Sequence, residues 1–277
     1  MQSKHRVPLF SVVTVTLNCQ RDALETARSV WAQERADYEY IVKDGCSTDG
    51  TVESIRKEGK PVKIVIKPDR GIYDAMNQAI ELCSGRYVLF LNGGDNFRIP
   101  NALDLVSKTI RETNEPEVVY TYNYNVLRKT IVQYPANLGR FYLFRRSVNH
   151  QATYIRRDCY VKHGLFDTNF QMLADNELLA KLLLKHGCRS ALCPVAAVDY
   201  RDGGISTSPK NRLRIHLERD LIRKQYFTKW EQLRFTFWHA LMLPGIREQC
   251  LYRYPSAPIT RTYYKLANSF NRLLGRH

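Results

Sequence analysis

The stretch FSVVTVTLNCQRDALETARSVWAQERADYEYIVKDG, residues 10–45, decides the fold of this chain. Residues 10–17 are rich in β-branched side chains and predict a strand that is buried on both faces. Residues 22–34 place apolar side chains on one face of a helix, with Asp22 as the expected cap. Residues 38–43 predict a second strand. A strand, a helix and a second strand in this order form the unit from which parallel sheets are built.

The alternation of strands and helices continues along the chain. The elements predicted after residue 45 are a helix at 51–57, a strand at 62–66, a helix at 73–83, a strand at 87–91, a helix at 101–113, strands at 118–124, 129–134 and 149–156, a helix at 173–186 and a strand at 191–200. The sequence therefore predicts an α/β fold with a parallel sheet that is covered by helices on both faces.

Polar side chains follow the first four predicted strands, close to the point where each strand ends. They are Asn18, Asp44, Asp69 and Asp95. Parallel strands present their carboxyl ends at one edge of the sheet, and ligands bind at that edge. We therefore expect these four side chains to line one site. For each aspartate the alternative is a residue that only stabilises a turn.

The segment NGGD at residues 92–95 indicates a metal site. Glycine lets the backbone approach a ligand closely, and the Asp95 carboxylate suits Mg²⁺ or Mn²⁺, which bind oxygen ligands and substrate phosphates. Such a metal would neutralise a leaving diphosphate. Arg70 would bind a phosphate through charge-assisted hydrogen bonds; its alternative is a surface ion pair.

Three further residues carry candidate chemistry. Asp175 begins a predicted helix and is a candidate general base for an acceptor hydroxyl, with a first-turn acid that favours the helix dipole as the alternative. His150 and Gln151 are candidates for an acceptor or phosphate pocket. A hydrogen-bonded core histidine is the alternative for His150.

The net charge of +15 over 277 residues is unevenly distributed. Residues 208–277 hold 14 Lys and Arg against 4 Asp and Glu, and so carry +10 of that charge. We therefore expect a first domain at residues 1–207 and a basic, aromatic-rich helical extension at 208–277. Within it, residues 261–276 have the pattern of an interfacial helix on anionic lipid; the alternative is a helix packed on the first domain.

Several function classes lose support because their patterns are absent. The chain has no P-loop, no G-x-G-x-x-G after the first strand and no nucleophile elbow, which argues against ATPases, dinucleotide dehydrogenases and α/β-hydrolases. Its seven cysteines include no C-x-x-C pair, so neither a disulfide framework nor a zinc site is expected, and a reducing cytosol fits. No run reaches the ~18 apolar residues of a membrane span.

Six segments of the chain, together and in order, resemble family 2 glycosyltransferases of the GT-A fold. The similarity is closest to a bacterial subgroup that builds capsule, O-antigen and colanic-acid-type polysaccharides. The segments are FSVVTVTLN (10–18), VKDGCSTDGT (42–51), KPDRGIYDAMNQAI (67–80), GRYVLFLNGGD (85–95), NHQATYIRR (149–157) and ADNELLAKLL (174–183), and DGGIS (202–206) follows them. The resemblance implies a Rossmann-like, mixed and mainly parallel sheet flanked by helices.

The resemblance also implies a role for each candidate residue. These roles are contacts to the nucleotide sugar for Thr16, Asn18, Asp44, Asp69, Arg70 and Asn92, a metal ligand for Asp95, the catalytic base for Asp175, and the acceptor pocket for His150 and Gln151. Three positions depart from the family pattern. The NGGD segment replaces D-x-D and so loses one carboxylate, Asp44-Gly45 replaces Asp-Asp, and Ala174-Asp175 replaces Glu-Asp.

The function implied by the resemblance is an inverting transfer of a sugar. The donor is a nucleoside diphosphate sugar, the acceptor is a hydroxyl of a polyprenyl-diphosphate-linked glycan in surface polysaccharide biosynthesis, and the cofactor is Mg²⁺ or Mn²⁺. The implied location is cytoplasmic, peripheral on the inner face of the cell membrane. Two alternatives stay open: a catalytically inactive homologue that acts as an assembly partner, and a basic nucleic-acid-binding protein. No nucleic-acid recognition motif supports the second, so no specific nucleic acid partner is expected.

Overall fold

The computed structural model describes residues 7–201, 211–241 and 262. Nine strands form one sheet in this part of the chain. The strands are β1 Phe10–Thr16, β2 Tyr38–Asp44, β3 Lys63–Ile66, β4 Tyr87–Phe90, β5 Asn96–Phe97, β6 Val118–Asn125, β7 Thr130–Val132, β8 Thr153–Arg156 and β9 Ser190–Tyr200.

The helices of the described residues lie between and after these strands. They are α1 Gln20–Trp31, α2 Thr51–Lys57, α3 Ile72–Ile80, α4 Ala102–Glu112, α5 Arg140–Arg145, α6 Arg157–His163, α7 Ala174–Ala180, α8 Arg212–Tyr226 and α9 Lys229–Leu241, with a 3-10 turn at His150–Ala152 and a π-helical turn at Lys181–Lys185.

The sheet is mixed, with a parallel half and a more irregular half. Its strand order is β3-β2-β1-β4-β8-β6-β9-β5, and β7 pairs with β6. The first four strands run parallel to one another. Strand β8 is antiparallel to both of its neighbours, whereas β6 and β9 are parallel to each other. The carboxyl ends of β1 to β4 therefore lie at one edge, as the sequence predicts.

Strand β1 shows why its sequence contains no charged side chain and is rich in β-branched residues. All seven of its residues are buried. Phe10 and Val12 belong to one hydrophobic core, whereas Val13 and Val15 belong to the other, because successive side chains of a strand point to opposite faces. Helices α1, α2 and α4 cover the first of these faces, and α3 and α5 to α9 cover the second.

The close approach of β4 to β1 requires a glycine. A Cβ atom on Gly85 would lie 2.5 Å from the backbone nitrogen of Ser11 and 2.6 Å from the carbonyl carbon of Phe10. Gly85 also donates its N–H to Ser11 Oγ at 2.9 Å. The segment that leads into β4 is therefore held against the start of β1.

The predicted start of the first helix is wrong by two residues. Helix α1 begins at Gln20, and its N-cap residue, Cys19, makes no capping hydrogen bond through its side chain, so Asp22 lies in the first turn instead of at the cap. The side chain of Asp49 accepts a hydrogen bond from the backbone N–H of Gln20 at 2.9 Å and another from Thr51 N at 3.0 Å. One carboxylate thus satisfies exposed amides at the start of two helices.

The segment expected to be a single helix at residues 173–186 has two parts. It is α-helical at Ala174–Ala180 and continues as a π-helical turn at Lys181–Lys185. Strand β5 and helices α5 and α6 were not predicted. The DGGIS segment at 202–206 lies outside the described residues, as does the predicted interfacial helix at 261–276 except for Thr262. No helix in the described ranges is long and apolar enough to cross a membrane.

Candidate active site

The loops after β1 and β2 are bound to each other at the carboxyl edge of the sheet. Thr16 and Asp44 are paired in register, and both are buried. Asp44 accepts hydrogen bonds from Ser47 N at 2.7 Å and from Ser47 Oγ at 2.5 Å. Asn18 Oδ1 accepts one from Thr48 N at 2.8 Å. Asp44 therefore closes the turn after β2, at the edge where the site was predicted.

A buried ion pair holds the loop after β3. The Lys43 side chain is 0% exposed, and its Nζ donates to Lys67 O at 2.7 Å. The same Nζ pairs with the Asp69 carboxylate, which is 9% exposed. Asp69 also accepts the N–H of Gly71 at 3.1 Å. The neighbouring Arg70 side chain is 89% exposed and extends from an anchored loop into solvent, where its Nε lies 3.9 Å from Asp74 Oδ2 in the surface ion pair that was its alternative.

Lys43 was missed as a site residue. The signal is a lysine that directly follows the apolar residues 40–42 of a predicted strand and precedes Asp44. A buried ammonium needs a charged partner, and the neighbouring loop supplies Asp69.

The second half of the site consists of Asp95, on the loop after β4, together with His150 and Asp175. His150 lies between two carboxylates, with Nε2 3.7 Å from Asp95 Oδ2 and Nδ1 3.4 Å from Asp175 Oδ2. These residues come from three separate parts of the chain, and the fold brings them together. Gln151 is buried beside His150 in the 3-10 turn.

The two carboxylates set the charge of His150. Burial lowers the pKa of the imidazole, but hydrogen bonding and attraction from Asp175 and Asp95 outweigh this effect and raise the pKa to about 9. The ring is therefore an imidazolium at neutral pH, with both nitrogens protonated. A single cation thus lies between two carboxylates that would otherwise repel each other.

Asn92 lies on the Nε2 side of this imidazolium. Its amide nitrogen is 2.9 Å from His150 Nε2, and its buried Oδ1 has no hydrogen-bond partner. An imidazolium N–H requires an acceptor, so the opposite amide orientation, with Oδ1 toward the ring, satisfies both groups.

Asp175 is held by a second donor from α3. Tyr73 donates its hydroxyl to Asp175 Oδ1 at 3.1 Å and lies equally close to Met172 O. Burial, together with the charge of Asp175, raises the pKa of Tyr73 well above its usual value, so the phenol stays protonated. The Asp175 carboxylate therefore accepts a hydrogen bond from the neutral Tyr73 hydroxyl and lies beside the positively charged His150 ring.

Cys19 links the two halves of the site. Its Sγ lies 2.9 Å from Thr16 Oγ1, and it would lie 2.7 Å from a Cβ atom on Gly93. The loop that leads to Asp95 therefore packs directly against the end of β1. Within the described residues, no group of three or more His, Cys, Asp and Glu side chains is arranged to hold a metal ion.

Residues 11–108 match the model of glycosyl transferase family 2. A PGL/p-HBAD biosynthesis glycosyltransferase of Mycobacterium bovis is 28% identical over 208 residues, which cover 73% of this chain and 80% of the relative. The chain is a glycosyltransferase. Its candidate site lies partly within the residues that match the family 2 model and partly beyond them, since His150 and Asp175 follow residue 108. The narrower resemblance to the capsule and O-antigen subgroup stays a prediction.

Solved structures agree with the fold of this glycosyltransferase. Staphylococcus aureus TarS 1–349 in complex with UDP-GlcNAc superposes with a TM-score of 0.63 at 16% identity, covering 93% of this chain and 79% of that one. The mannosyltransferase PcManGT from Pyrobaculum calidifontis, in complex with GDP-Man and Mn²⁺, gives 0.57 at 17% identity and covers 99% and 77%. This glycosyltransferase spans 47% of a longer TarS chain. The predicted GT-A fold is confirmed.

Proposed function

We propose that the protein transfers a sugar, with inversion at the anomeric carbon, from a nucleoside diphosphate sugar to a hydroxyl of a lipid-linked glycan in surface polysaccharide biosynthesis. The observation that carries the proposal is the cluster of Asp95, His150 and Asp175 beside the carboxyl ends of the parallel strands. A nucleotide sugar fits because matching proteins include structures with UDP-GlcNAc and with GDP-Man.

In this proposal the donor lies along the carboxyl edge of β1 to β4. Thr16, Asn18 and Asp44 border the nucleoside, and Asp69 completes that border. Proximity supports this grouping, since Asp69 Oδ2 would lie 3.0 Å from a Cβ atom on Gly45. Arg70 is exposed on the anchored loop and has the reach to pair with the diphosphate. The glycine-containing 92–95 loop then lies under the transferred sugar.

Asp175 is the proposed general base. As the acceptor oxygen attacks the anomeric carbon, its proton passes to the Asp175 carboxylate, and the bond from that carbon to the diphosphate oxygen breaks. Attack opposite the leaving group inverts the anomeric centre. Tyr73 and His150 hold the carboxylate in place. Gln151 lies beside His150 on the proposed acceptor side.

Asp95 and Asn92 are the proposed ligands of Mg²⁺ or Mn²⁺. The fit rests on chemistry: the Asp95 carboxylate and the Asn92 amide oxygen, which has a second lone pair besides the one directed at His150, are hard oxygen donors, and ions of this kind take their other ligands from water and substrate phosphates. When bound, the metal would stabilise the negative charge of the departing diphosphate. The matched mannosyltransferase structure with GDP-Man contains Mn²⁺.

A membrane surface is the proposed location of the acceptor. Helices α8 and α9 expose several large apolar side chains: Leu213, Leu217, Leu221, Trp230, Leu233 and Phe237. Basic residues accompany them, a combination that favours anionic lipid. Sedimentation with phosphatidylglycerol vesicles tests this part, with phosphatidylcholine vesicles as the control. Failure to sediment with phosphatidylglycerol vesicles would contradict the membrane location but would leave the proposed sugar transfer unaffected.

The chemistry is tested by release of nucleoside diphosphate from a panel of UDP-, GDP- and dTDP-sugars, with and without Mn²⁺. We expect turnover of at least one donor, and a loss of about 10²–10⁴-fold in Asp175→Asn with unchanged thermal stability. Stabilisation by a nucleoside diphosphate without any turnover would instead favour the inactive homologue. Binding of DNA or RNA alone would favour the nucleic-acid alternative.

A further inference from the structure

A buried carboxylate on α8 binds the backbone immediately before α7. Glu218 Oε1 accepts the N–H of Gln171 at 2.9 Å, and its Oε2 accepts those of Met172 and Leu173, each at 2.9 Å. Leu173 is the residue that precedes the first turn of α7. Three consecutive backbone amides are therefore bound by one side chain from a helix about 45 residues later.

Burying the Glu218 carboxylate costs free energy unless hydrogen bonds or a cation compensate it. Glu218 is 5% exposed and lies on the same side of α8 as the buried Ile222 and Tyr226. Within the described residues it forms no ion pair, so the three amides are its compensation for burial. An apolar side chain would pack against this core equally well but would leave three amides without acceptors.

The bound segment leads directly to Asp175. Met172 O and Asp175 Oδ1 share the hydroxyl of Tyr73, at 3.1 Å each. A shift of the Met172 backbone would therefore also move the donor that orients Asp175. The same helix holds α7 a second time, because the Tyr226 hydroxyl donates to Glu177. Helix α8 thus fixes both the start of α7 and its first turn.

We propose that Glu218 is a positioning residue that holds Asp175 in its reactive place. The proposal rests on the proposed function, in which Asp175 is the base. It assigns a role in the reaction to a helix from the basic C-terminal part of the chain. Glu218 touches neither donor nor acceptor and acts through the backbone of residues 171–173.

The test compares three single variants in the full-length protein. Glu218→Gln keeps the shape and loses the charge, Glu218→Asp keeps the charge and draws the carboxylate back by one methylene, and Asp220→Asn removes an acid from the exposed face of the same helix as the matched control. The readouts are kcat and KM for hydrolysis of the donor that the panel identifies, the affinity for its nucleoside diphosphate, and the melting temperature.

We expect kcat to fall about ten- to a hundred-fold in both Glu218 variants at a temperature where they are folded, because small displacements of a catalytic group have effects of this size. Nucleoside diphosphate affinity should stay within about twofold, since the donor contacts are on other loops. Asp220→Asn should match the parent protein.

Two outcomes would overturn the inference. The first is a lower melting temperature with unchanged kcat in both variants, which would make Glu218 purely structural. The second is an equal loss of kcat and nucleotide affinity, which would indicate general loosening. If Glu218→Gln does not fold, the Glu218→Asp variant alone decides. Full activity of Asp175→Asn would contradict the proposed base, a failure distinct from that of Glu218.

Discussion

The buried pair of Lys43 and Asp69 allows a quantitative test of how the donor edge is built. Replacing Lys43 by Met preserves much of the side-chain volume but leaves the Asp69 carboxylate, 9% exposed, without its cation. Breaking one partner of a buried ion pair costs about 3–5 kcal/mol, because the remaining charge stays desolvated. For a domain of this size that corresponds to a melting temperature lower by roughly 6–20 °C.

Two companion variants separate the energy of the Lys43–Asp69 interaction from the energy of each residue's other contacts. Asp69→Asn should be destabilising for the same reason, because it leaves the Lys43 ammonium buried without a counterion. The double variant Lys43→Met/Asp69→Asn has no unpaired charge, so its loss should be smaller than the sum of the single losses by about 0.5–3 kcal/mol. The Lys43 bond to Lys67 O is lost in both backgrounds that lack the lysine.

Urea denaturation of all four proteins, followed by circular dichroism, gives the free energies of unfolding for this cycle. Binding of a nucleoside diphosphate, measured in parallel at a temperature where all four are folded, should weaken in Lys43→Met because the loop that carries Arg70 loses its anchor. Additive losses in the double variant, or a Lys43→Met loss below about 1 kcal/mol, would refute the reasoning.

Three further predictions concern single positions. Burial raises the pKa of Glu39, but hydrogen bonds from Ser11 and Ser84 outweigh this and lower it. Its stabilising effect is therefore present above the unfolded pKa and lost as the pH falls, so the melting-temperature gap between parent and Glu39→Gln should shrink below about pH 4.5. Gly93→Ala should weaken donor binding, because its Cβ would meet Cys19 Sγ; unchanged affinity would contradict this. His150→Ala should lower kcat at least tenfold, whereas nucleoside diphosphate affinity should hold.

The parallel half of the sheet could be predicted from the sequence because burial on both faces leaves a local signature. Strands β1 to β4 and the helices between them lie within a few residues of the expected positions. A polar residue follows each of these strands within a few positions or ends it, and the edge that these residues share follows from the parallel arrangement.

The candidate site, the short elements and the role of Glu218 could not be predicted in this way, because they depend on contacts between distant segments of the chain. His150 meets Asp95 and Asp175 only after β8 inserts antiparallel beside β4, and neither a period nor a local motif encodes that pairing. The short elements β5, α5 and α6 leave little periodicity to detect. Glu218 has only the weak signal of one acid on an apolar helix face, and its three backbone partners cannot be read from side-chain identities.

The charges of the site explain how four aspartates can share one edge. Asp44 is satisfied by the turn at Ser47, and Asp69 by Lys43. Asp95 and Asp175 share the His150 imidazolium, so this pair carries about one net negative charge rather than two. The diphosphate of a donor is not neutralised by any of these internal pairs. Its compensation must come from groups that face solvent or arrive with it. In the proposed function these groups are the exposed Arg70 and a metal that binds together with the donor.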